Sequence, residues 1–314
     1  MIPGLGAYYR PGCLEEALAL LAQEPDCEVL AGGTDLLLTK TPHASLVDVT
    51  RCGLDRIEAS AEGLRVGATA TVQSLLESPH AASWADGVLV GAALEFGTLQ
   101  VRNMATVGGN VAHALPAADL VPALVALDAE VELARAAGNG ETARRRLALD
   151  GFAVAPFRTR LEPGEILAEL RVPKCTRSWR AQFRKIGRVQ KDLAQANCAV
   201  AIETMDGVVR QARIVVGAVH PTVVRVREAE TALLGGHPAA GDWGERVTRA
   251  IAAVRGFVEP ITDQRATREW RRHVVGVLVG RCLAHCVDPR HAGRVPRLED
   301  GPSYCAGLDA EVRT

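Results

Sequence analysis

The first fifty residues alternate between an amphipathic segment and short apolar runs. Residues 13–23 place apolar side chains at the spacing of one helix face, which predicts an amphipathic helix. Two apolar runs, 28–31 and 45–49, predict short buried strands, and the first run stops at the pair Gly32-Gly33. We therefore expect a small α/β unit in which a strand leads directly into a glycine turn.

A second unit with a mixed pattern follows from residue 56. The run 64–68 predicts a strand, and Thr71 is a suitable N-cap for a helix that ends near Leu76. Glycine interrupts the helical pattern at Phe96-Gly97-Thr98 and again at Gly108-Gly109. Further helices are expected at 86–95 and 117–127, further strands at 130–133 and 165–172, and a charged hairpin or loop at 135–147.

Beyond a predicted linker at 174–180, the pattern changes to a block of strands followed by a block of helices. The strand-like runs are 181–185, 199–203 and 208–218, and the helical runs are 224–234, 243–256 and 264–286. This order predicts an α+β C-terminal domain. The predicted units are a domain at 1–175 with subdomains of about 1–55 and 56–175, a second domain at 176–287, and an irregular tail at 288–314.

Composition narrows the classes of protein that the chain can represent. Apolar residues make up 48% of the 314 residues, which is ample for two cores, and the formal net charge of −1 gives no basic surface for nucleic acid. No apolar run reaches the roughly 18 residues that a membrane-spanning helix needs. The N-terminus lacks the basic-then-apolar pattern of a secretory signal. We therefore expect a soluble, cytoplasmic protein.

Two glycine pairs provide the candidate chemistry. Gly32-Gly33 lies in AGGTDL after a predicted strand, and Gly108-Gly109 lies in TVGGN. Consecutive glycines permit positive φ angles and let backbone N–H groups face a ligand, and such concavities bind anions. Together the two turns would hold the phosphates of a pyrophosphate from opposite sides. A tight turn between elements is the alternative for each pair. Neither pair fits the Gly-x-Gly-x-x-Gly or the Walker pattern, which disfavours a Rossmann fold.

At these turns the chain resembles a known family. The strings VLAGGTDLL and RNMATVGGNVAHALPAADLVPALVALDAEVEL resemble the FAD-binding subunit or domain of the xanthine dehydrogenase and carbon monoxide dehydrogenase family, and the resemblance extends over residues 4–286. It implies an α+β protein. A vanillyl-alcohol-oxidase-type domain would consist of two α/β subdomains with FAD between them. A C-terminal domain of a three-stranded antiparallel sheet and helices would follow.

The resemblance also implies the residues that bind the cofactor. The two phosphate-binding loops would be formed by Val29, Leu30, Ala31, Gly32, Gly33, Thr34 and Asp35, and by Thr106, Gly108, Gly109 and Asn110. Phe96 corresponds to an aromatic residue near the flavin, and Leu167 to an apolar residue against the isoalloxazine. Asp119 corresponds to a carboxylate on the adenosine side, and Lys185 to a cation near the flavin pyrimidine edge.

Ordinary structural roles are open for the last four residues. Phe96 and Leu167 are also typical of a core, and Asp119 could cap the following helix. Lys185 could be a solvated strand end, and Arg184 is the neighbouring cation that could take its place in the alignment. These alternatives are distinguished by burial and by hydrogen-bond partners.

One histidine and a group of cysteines lie outside these assignments. His113 follows the second glycine pair and could contact phosphate or ribose, or could be structural. Cys282, Cys286 and Cys305, with His285 nearby, could in principle hold zinc or an iron–sulfur cluster. The first pair lies on an apolar helix, where cysteine behaves as a small hydrophobic residue. We therefore predict no metal site in this chain.

The resemblance implies a function in electron transfer. A heterotrimeric molybdenum hydroxylase would combine a large molybdopterin subunit, a small [2Fe–2S] subunit and this chain, as a dimer of heterotrimers. Electrons would pass from the clusters to FAD in this chain and then to an external acceptor, with no catalytic side chain here. A standalone flavin-dependent oxidase or reductase of the same fold is the alternative, and a flavin-free scaffold subunit is a third possibility.

Overall fold

The N-terminal unit is a parallel sheet of three strands with one helix. The structure is a computed structural model that describes residues 5–24, 26–38, 45–138, 140–175, 178–288 and 290. The elements of this unit are β1 (Ala7–Tyr9), α1 (Leu14–Gln23), β2 (Cys27–Leu30) and β3 (Ser45–Asp48). β3 pairs in parallel with β1 on one side and β2 on the other. The predicted helix and both predicted strands are confirmed, although β2, expected to be buried, has only Leu30 buried because it lies at the edge of the sheet.

The second unit is a five-stranded sheet with helices packed on it. Its elements are β4 (Ile57–Ala59), β5 (Gly63–Gly67), α2 (Val72–Glu77), α3 (Pro79–Ala82), α4 (Val88–Glu95), α5 (Leu99–Met104), α6 (Val107–Ala112), α7 (Leu120–Ala126), β6 (Glu130–Ala136), β7 (Thr142–Ala148), β8 (Ala153–Ala155), β9 (Arg158–Thr159) and β10 (Ile166–Pro173). The strand order in the sheet is β4-β5-β10-β6-β7, and β8 and β9 pair separately. All strand pairs in this sheet are antiparallel, so this subdomain is α+β where an α/β unit was expected. Thr71 caps α2 as predicted, because its Oγ1 accepts a hydrogen bond from the Ser74 N–H at 3.0 Å.

The second glycine pair lies in a helix, which corrects the predicted break. Gly108 and Gly109 occupy the first turn of α6, and the Thr106 hydroxyl accepts a hydrogen bond from the Gly109 N–H at 3.0 Å. A Cβ atom on Gly108 would lie 2.5 Å from the Cβ of Ala68, just beyond β5. Close packing of α6 against this segment, and not an unusual backbone angle, therefore requires glycine at position 108.

The C-terminal domain is an antiparallel sheet covered by helices. Its elements are β11 (Trp179–Ile186), β12 (Ala196–Met205), β13 (Val208–Gly217), β14 (Val224–Arg225), α8 (Arg227–Leu233), α9 (Trp243–Phe257) and α10 (Arg268–Val287). The three predicted strands are confirmed, and β14 adds a fourth by pairing with the end of β13. The predicted helix at 224–234 therefore begins later than expected, because residues 224 and 225 are used in the sheet. The α+β class is confirmed.

The two domains share buried apolar surface. Leu120 and Leu124 of α7 belong to one core cluster with Ala199 of β12 and Val215 of β13. A separate cluster fills the C-terminal domain between its sheet and α10. In the described part of the chain, no helix is long and apolar enough to cross a membrane.

The C-terminal cysteines pack inside this second core. The Sγ atoms of Cys198 and Cys282 lie 3.6 Å apart, and both residues are fully buried. Burial raises the pKa of the Cys198 and Cys286 thiols well above the ordinary value. Among residues that the structure describes, no group of three or more His, Cys, Asp or Glu side chains could hold a metal ion. Cys305 and most of the predicted irregular tail lie outside the described residues.

Candidate functional site

A cavity opens between the parallel-sheet unit and the antiparallel-sheet unit. Its volume is about 250 Å³, close to the lower end of the range for small-molecule sites. The sequence-predicted residues that line it are Val29, Ala31, Gly32, Gly33, Thr34, Asp35, Phe96, Thr106, Gly108, Gly109, Asn110 and Leu167. The fold thus gathers residues from three distant segments around one space.

The first loop presents backbone donors that the protein itself does not use. Within the described residues, the N–H groups of Gly32, Gly33, Thr34 and Asp35 have no hydrogen-bond acceptor. Gly33 has a φ of +68°, a left-handed conformation that side chains with a Cβ adopt rarely. A row of free N–H groups in a concave wall attracts an anion.

Gly32 is needed for a different reason. A Cβ atom at this position would lie 1.8 Å from the carbonyl oxygen of Met104, at the end of α5. Glycine therefore lets the first loop lie directly against α5, and the contact closes one side of the cavity. Within this pair, position 32 requires glycine for close packing, and position 33 requires it for the left-handed backbone conformation.

The second glycine segment uses its backbone donors within the protein, which corrects the expectation of a symmetric phosphate grip. The N–H groups of residues 107–110 donate in turn to Ala70 O, Ala68 O, Thr106 Oγ1 and Thr106 O. This wall can still donate through side chains. The Asn110 Oδ1 accepts a hydrogen bond from the Leu120 N–H at 3.3 Å, while its Nδ2 has no acceptor in the described part of the chain.

Apolar side chains line the opposite part of the cavity. Phe96, at the end of α4, and Leu167, which is 6% exposed, both face it. Ile166 lines the cavity as well. Its side chain belongs to the core cluster around α1, whereas Leu167 belongs to the core cluster of the second unit, because neighbouring strand residues point to opposite faces. The start of β10 therefore lies between these two cores, at the cavity.

Leu30, Asp119 and Lys185 do not line the cavity. Leu30 is the buried last residue of β2. The Lys185 Nζ lies 2.6 Å from the Asp119 Oδ2 and donates a hydrogen bond to the Glu95 carbonyl at 2.8 Å. Glu95 immediately precedes Phe96, so the ammonium lies just behind the cavity wall. Lys185 is 2% exposed, so the alternative of a solvated strand end is wrong.

The Asp119 carboxylate is also held by a second residue of the C-terminal domain. The Asn197 Nδ2 on β12 donates to the Asp119 Oδ1 at 3.3 Å and to the Ala118 carbonyl at 3.1 Å. Asp119 makes no side-chain cap on α7, which removes the capping alternative. Complete burial raises the pKa of the Asp119 carboxyl, against the opposing attraction of the Lys185 ammonium.

Sequence reasoning did not assign three polar residues of the cavity wall. Thr69 lines the cavity with its hydroxyl buried, and no local motif marks it. Glu165 is held by Arg145 at 2.6 Å and stands beside Leu167 in the GEILAEL segment, so that segment could have indicated it. His113 lines the cavity, with its Nε2 3.9 Å from the Asp35 Oδ1 and its ring edge-to-face with Phe157.

Comparison with known families covers both domains. The family described as FAD binding domain in molybdopterin dehydrogenase matches residues 4–175. The family described as CO dehydrogenase flavoprotein C-terminal domain matches residues 181–286. The two matches follow each other along the chain, as the resemblance at the glycine pairs implied.

Individual relatives match over nearly their whole length. The carbon monoxide dehydrogenase medium chain of Hydrogenophaga pseudoflava is 32% identical over 90% of this chain and 97% of its own. The glyceraldehyde dehydrogenase medium chain of Sulfolobus acidocaldarius is 30% identical, over 88% and 97%. The xanthine dehydrogenase FAD-binding subunit of Escherichia coli O157:H7 is 27% identical, over 90% and 96%.

Solved structures share the same fold. A chain in the structure of carbon monoxide dehydrogenase from Hydrogenophaga pseudoflava superposes with a TM-score of 0.84 at 32% identity, covering 91% of this chain and 98% of that one. A chain of quinoline 2-oxidoreductase from Pseudomonas putida 86 gives 0.82 at 26% identity, with coverage of 91% and 98%. The chain therefore belongs to the family of FAD-binding medium subunits of molybdenum-containing dehydrogenases, and it is an oxidoreductase subunit whose cofactor is FAD.

Proposed function

We propose that this chain is the electron-transfer subunit of a heterotrimeric molybdenum hydroxylase and that the cavity between its subdomains holds the FAD. The observation that carries the proposal is the row of unused N–H donors from Gly32 to Asp35 in the cavity wall. A diphosphate is the part of FAD that such donors would bind. The residues present therefore fit the cofactor without a metal ion.

Polar and apolar walls of the cavity suit different parts of the cofactor. The first loop, with the Asn110 amide and the Thr106 hydroxyl opposite, would bind the diphosphate and neighbouring hydroxyls. Phe96 and Leu167 would contact ring systems and exclude water from them. His113, beside Asp35, would adjoin the phosphate-binding loop.

Lys185 and Asp119 would act on the cofactor from behind the wall. Both are enclosed between the domains, so we propose an effect of charge and position and not direct contact. A buried cation near a flavin favours its anionic reduced form, and the Asp119 carboxylate would offset part of that field. The pair would therefore set the flavin potential while it fixes the position of the C-terminal domain.

The proposed partners follow from the relatives. Relatives of this chain include the medium chains of carbon monoxide dehydrogenase and of glyceraldehyde dehydrogenase. For this chain we propose a large molybdopterin subunit and a small [2Fe–2S] subunit, assembled as a dimer of heterotrimers in the cytoplasm. Bound flavin can accept electrons singly and release one or two, which suits transfer from clusters to an external acceptor. The organic substrate would be converted on the large subunit.

Native purification of the tagged chain tests this proposal. We expect two co-purifying subunits, flavin and iron–sulfur absorbance, and equimolar molybdenum and FAD. A single flavin-containing chain that turns over a substrate alone would contradict the proposal and favour a standalone enzyme. A colourless chain that takes up no added FAD would contradict the cofactor site itself.

A further inference from the structure

We propose that Thr69 is a cofactor-binding residue, whose hydroxyl donates a hydrogen bond to an oxygen of FAD in the diphosphate or the adjoining ribityl chain. The inference rests on the proposed function, because it requires FAD in the cavity between the subdomains. Thr69 lies just after β5 and lines that cavity. It lies outside both glycine pairs and outside the two strings, at 29–37 and 102–133, on which the family resemblance was recognised.

The Thr69 hydroxyl is buried without a partner. The residue is 6% exposed, and its Oγ1 has no hydrogen-bond partner within the described residues. A buried hydroxyl in this state destabilises a fold, and such groups normally have a partner. A ligand in the cavity would provide the missing acceptor.

The surrounding backbone does not provide it. The Thr69 N–H donates to the Leu54 carbonyl at 2.8 Å. On either side, the Ala68 and Ala70 carbonyls accept hydrogen bonds from the N–H groups of Gly108 and Val107, each at 2.9 Å. These bonds fix the segment against α6, so the hydroxyl is held beside the second glycine pair.

Neighbouring threonines show that the unpaired state is specific to Thr69. The Thr71 Oγ1 accepts a hydrogen bond from the Ser74 N–H, and the Thr106 Oγ1 accepts one from the Gly109 N–H, both at 3.0 Å. Each of these hydroxyls caps a helix and therefore has a hydrogen-bond partner within the protein, whether or not it also borders the cavity. Thr69 caps no helix, and its side chain borders the cavity.

The substitution Thr69→Val tests the proposal, because valine keeps the shape and removes only the hydroxyl. We expect the Kd for FAD, titrated into the FAD-free full chain, to rise about tenfold, the effect of losing one hydrogen bond to a charged group. The melting temperature of the FAD-free variant should equal or exceed that of the wild type, because an unpaired buried hydroxyl has been removed. Thr69→Ser should bind FAD within about threefold of the wild type.

Thr71→Val is the matched control, because Thr71 is structural and does not line the cavity. It should lower the melting temperature with and without FAD and leave the Kd unchanged. If Thr69→Val behaves like this control, or binds FAD as tightly as the wild type, the proposal for Thr69 is overturned while the FAD site stands. If Thr69→Val folds poorly, Thr69→Ala must show the same loss of affinity. Absence of FAD binding by the wild type would instead overturn the proposed function.

Discussion

The Lys185 ammonium lies 2.6 Å from the Asp119 carboxylate in the contact between the FAD-binding domain and the C-terminal domain. Lys185 belongs to β11 and Asp119 directly precedes α7, so the ion pair connects elements from both domains. Their side chains are 1% and 7% exposed. The pair therefore adds a well-defined polar contact, just behind Phe96, to the apolar surface that the two domains share.

Breaking this pair should destabilise the chain strongly. Lys185→Met leaves the Asp119 carboxylate buried without its cation, which costs about 3–5 kcal/mol in comparable pairs. The double variant Lys185→Met with Asp119→Leu should lose less than the sum of the two single variants, because no unpaired charge is left. Urea unfolding of the three variants measures this, and strict additivity would show that the two charges do not interact.

The same pair should influence the flavin potential. Lys185→Ala should retain some FAD and lower its reduction potential, because a cation behind the ring-binding wall is removed. Asp119→Asn should shift the potential in the opposite direction. Spectroelectrochemical titration of the flavin provides the measurement, and an unchanged potential in Lys185→Ala would exclude the tuning role.

The left-handed glycine of the first loop should be required for FAD retention. Gly33→Val forces a side chain into a φ of +68°, and its Cβ would lie 2.8 Å from the Leu37 side chain. We expect loss of FAD from the purified chain, because the N–H donors of the loop are displaced. Gly109→Val should also release FAD, because its Cβ would lie 2.7 Å from the Thr106 hydroxyl and would displace it from the cavity wall.

Gly53→Val is the control for backbone strain. Gly53 has a φ of +69°, its Cβ would meet nothing within 4 Å, and it does not line the cavity. The backbone strain in Gly53→Val, roughly 1–3 kcal/mol, should therefore be similar to the backbone strain in Gly33→Val. The flavin content of Gly53→Val should nevertheless stay normal. Equal flavin loss in both variants would mean that instability, and not the loop, explains the result.

The sheet of the second subdomain contains the Glu132 carboxylate, whose contribution to the free energy of unfolding depends on pH. Burial raises the pKa of Glu132, but hydrogen bonds and charge from Arg146, Arg144 and Arg171 outweigh it and hold the pKa below its ordinary value of 4.5. The pKa of Glu132 is lower in the folded chain than in the unfolded chain. Its stabilisation of the fold is therefore present above pH 4.5 and is lost as the pH falls through the pKa of the folded chain.

Glu132→Gln should therefore destabilise the chain at neutral pH by about 1.5–3 kcal/mol, the range for hydrogen bonds to charged groups. The difference from the wild type should shrink as the pH falls below the ordinary carboxyl value. Urea unfolding at several pH values measures both effects. A difference that is constant with pH would show that the charge of Glu132 has no part in its contribution.

Local features of this fold were predictable from the sequence. The Thr71 cap and the amphipathic α1 depend on neighbouring residues, so their patterns could be recognised directly. Helix α6 was missed because Gly108-Gly109 is a poor helix former in isolation. Only its packing against Ala68, just beyond β5 and about forty residues away along the chain, explains why glycine occurs at position 108.

The site was predictable to the extent that family strings mark it. Both glycine pairs, Phe96 and Leu167 reach one cavity, but the burial of Lys185 against Asp119 depends on contact between domains. Thr69 could not have been found from the sequence. Its significance comes from an unpaired hydroxyl in a wall that only the complete fold creates.

The central claim, that electrons leave the complex through FAD in this cavity, is tested most directly by reoxidation. The purified complex would be reduced anaerobically and exposed to oxygen, NAD⁺ or a soluble quinone in turn, while iron–sulfur absorbance is followed. In the wild type and in Gly53→Val, we predict that at least one acceptor rapidly restores the absorbance of the oxidised iron–sulfur clusters. In a FAD-free Gly33→Val complex that retains both partners, this absorbance should return slowly. Recovery at the wild-type rate with every acceptor in that complex would contradict the claim, because electrons would then leave by another route.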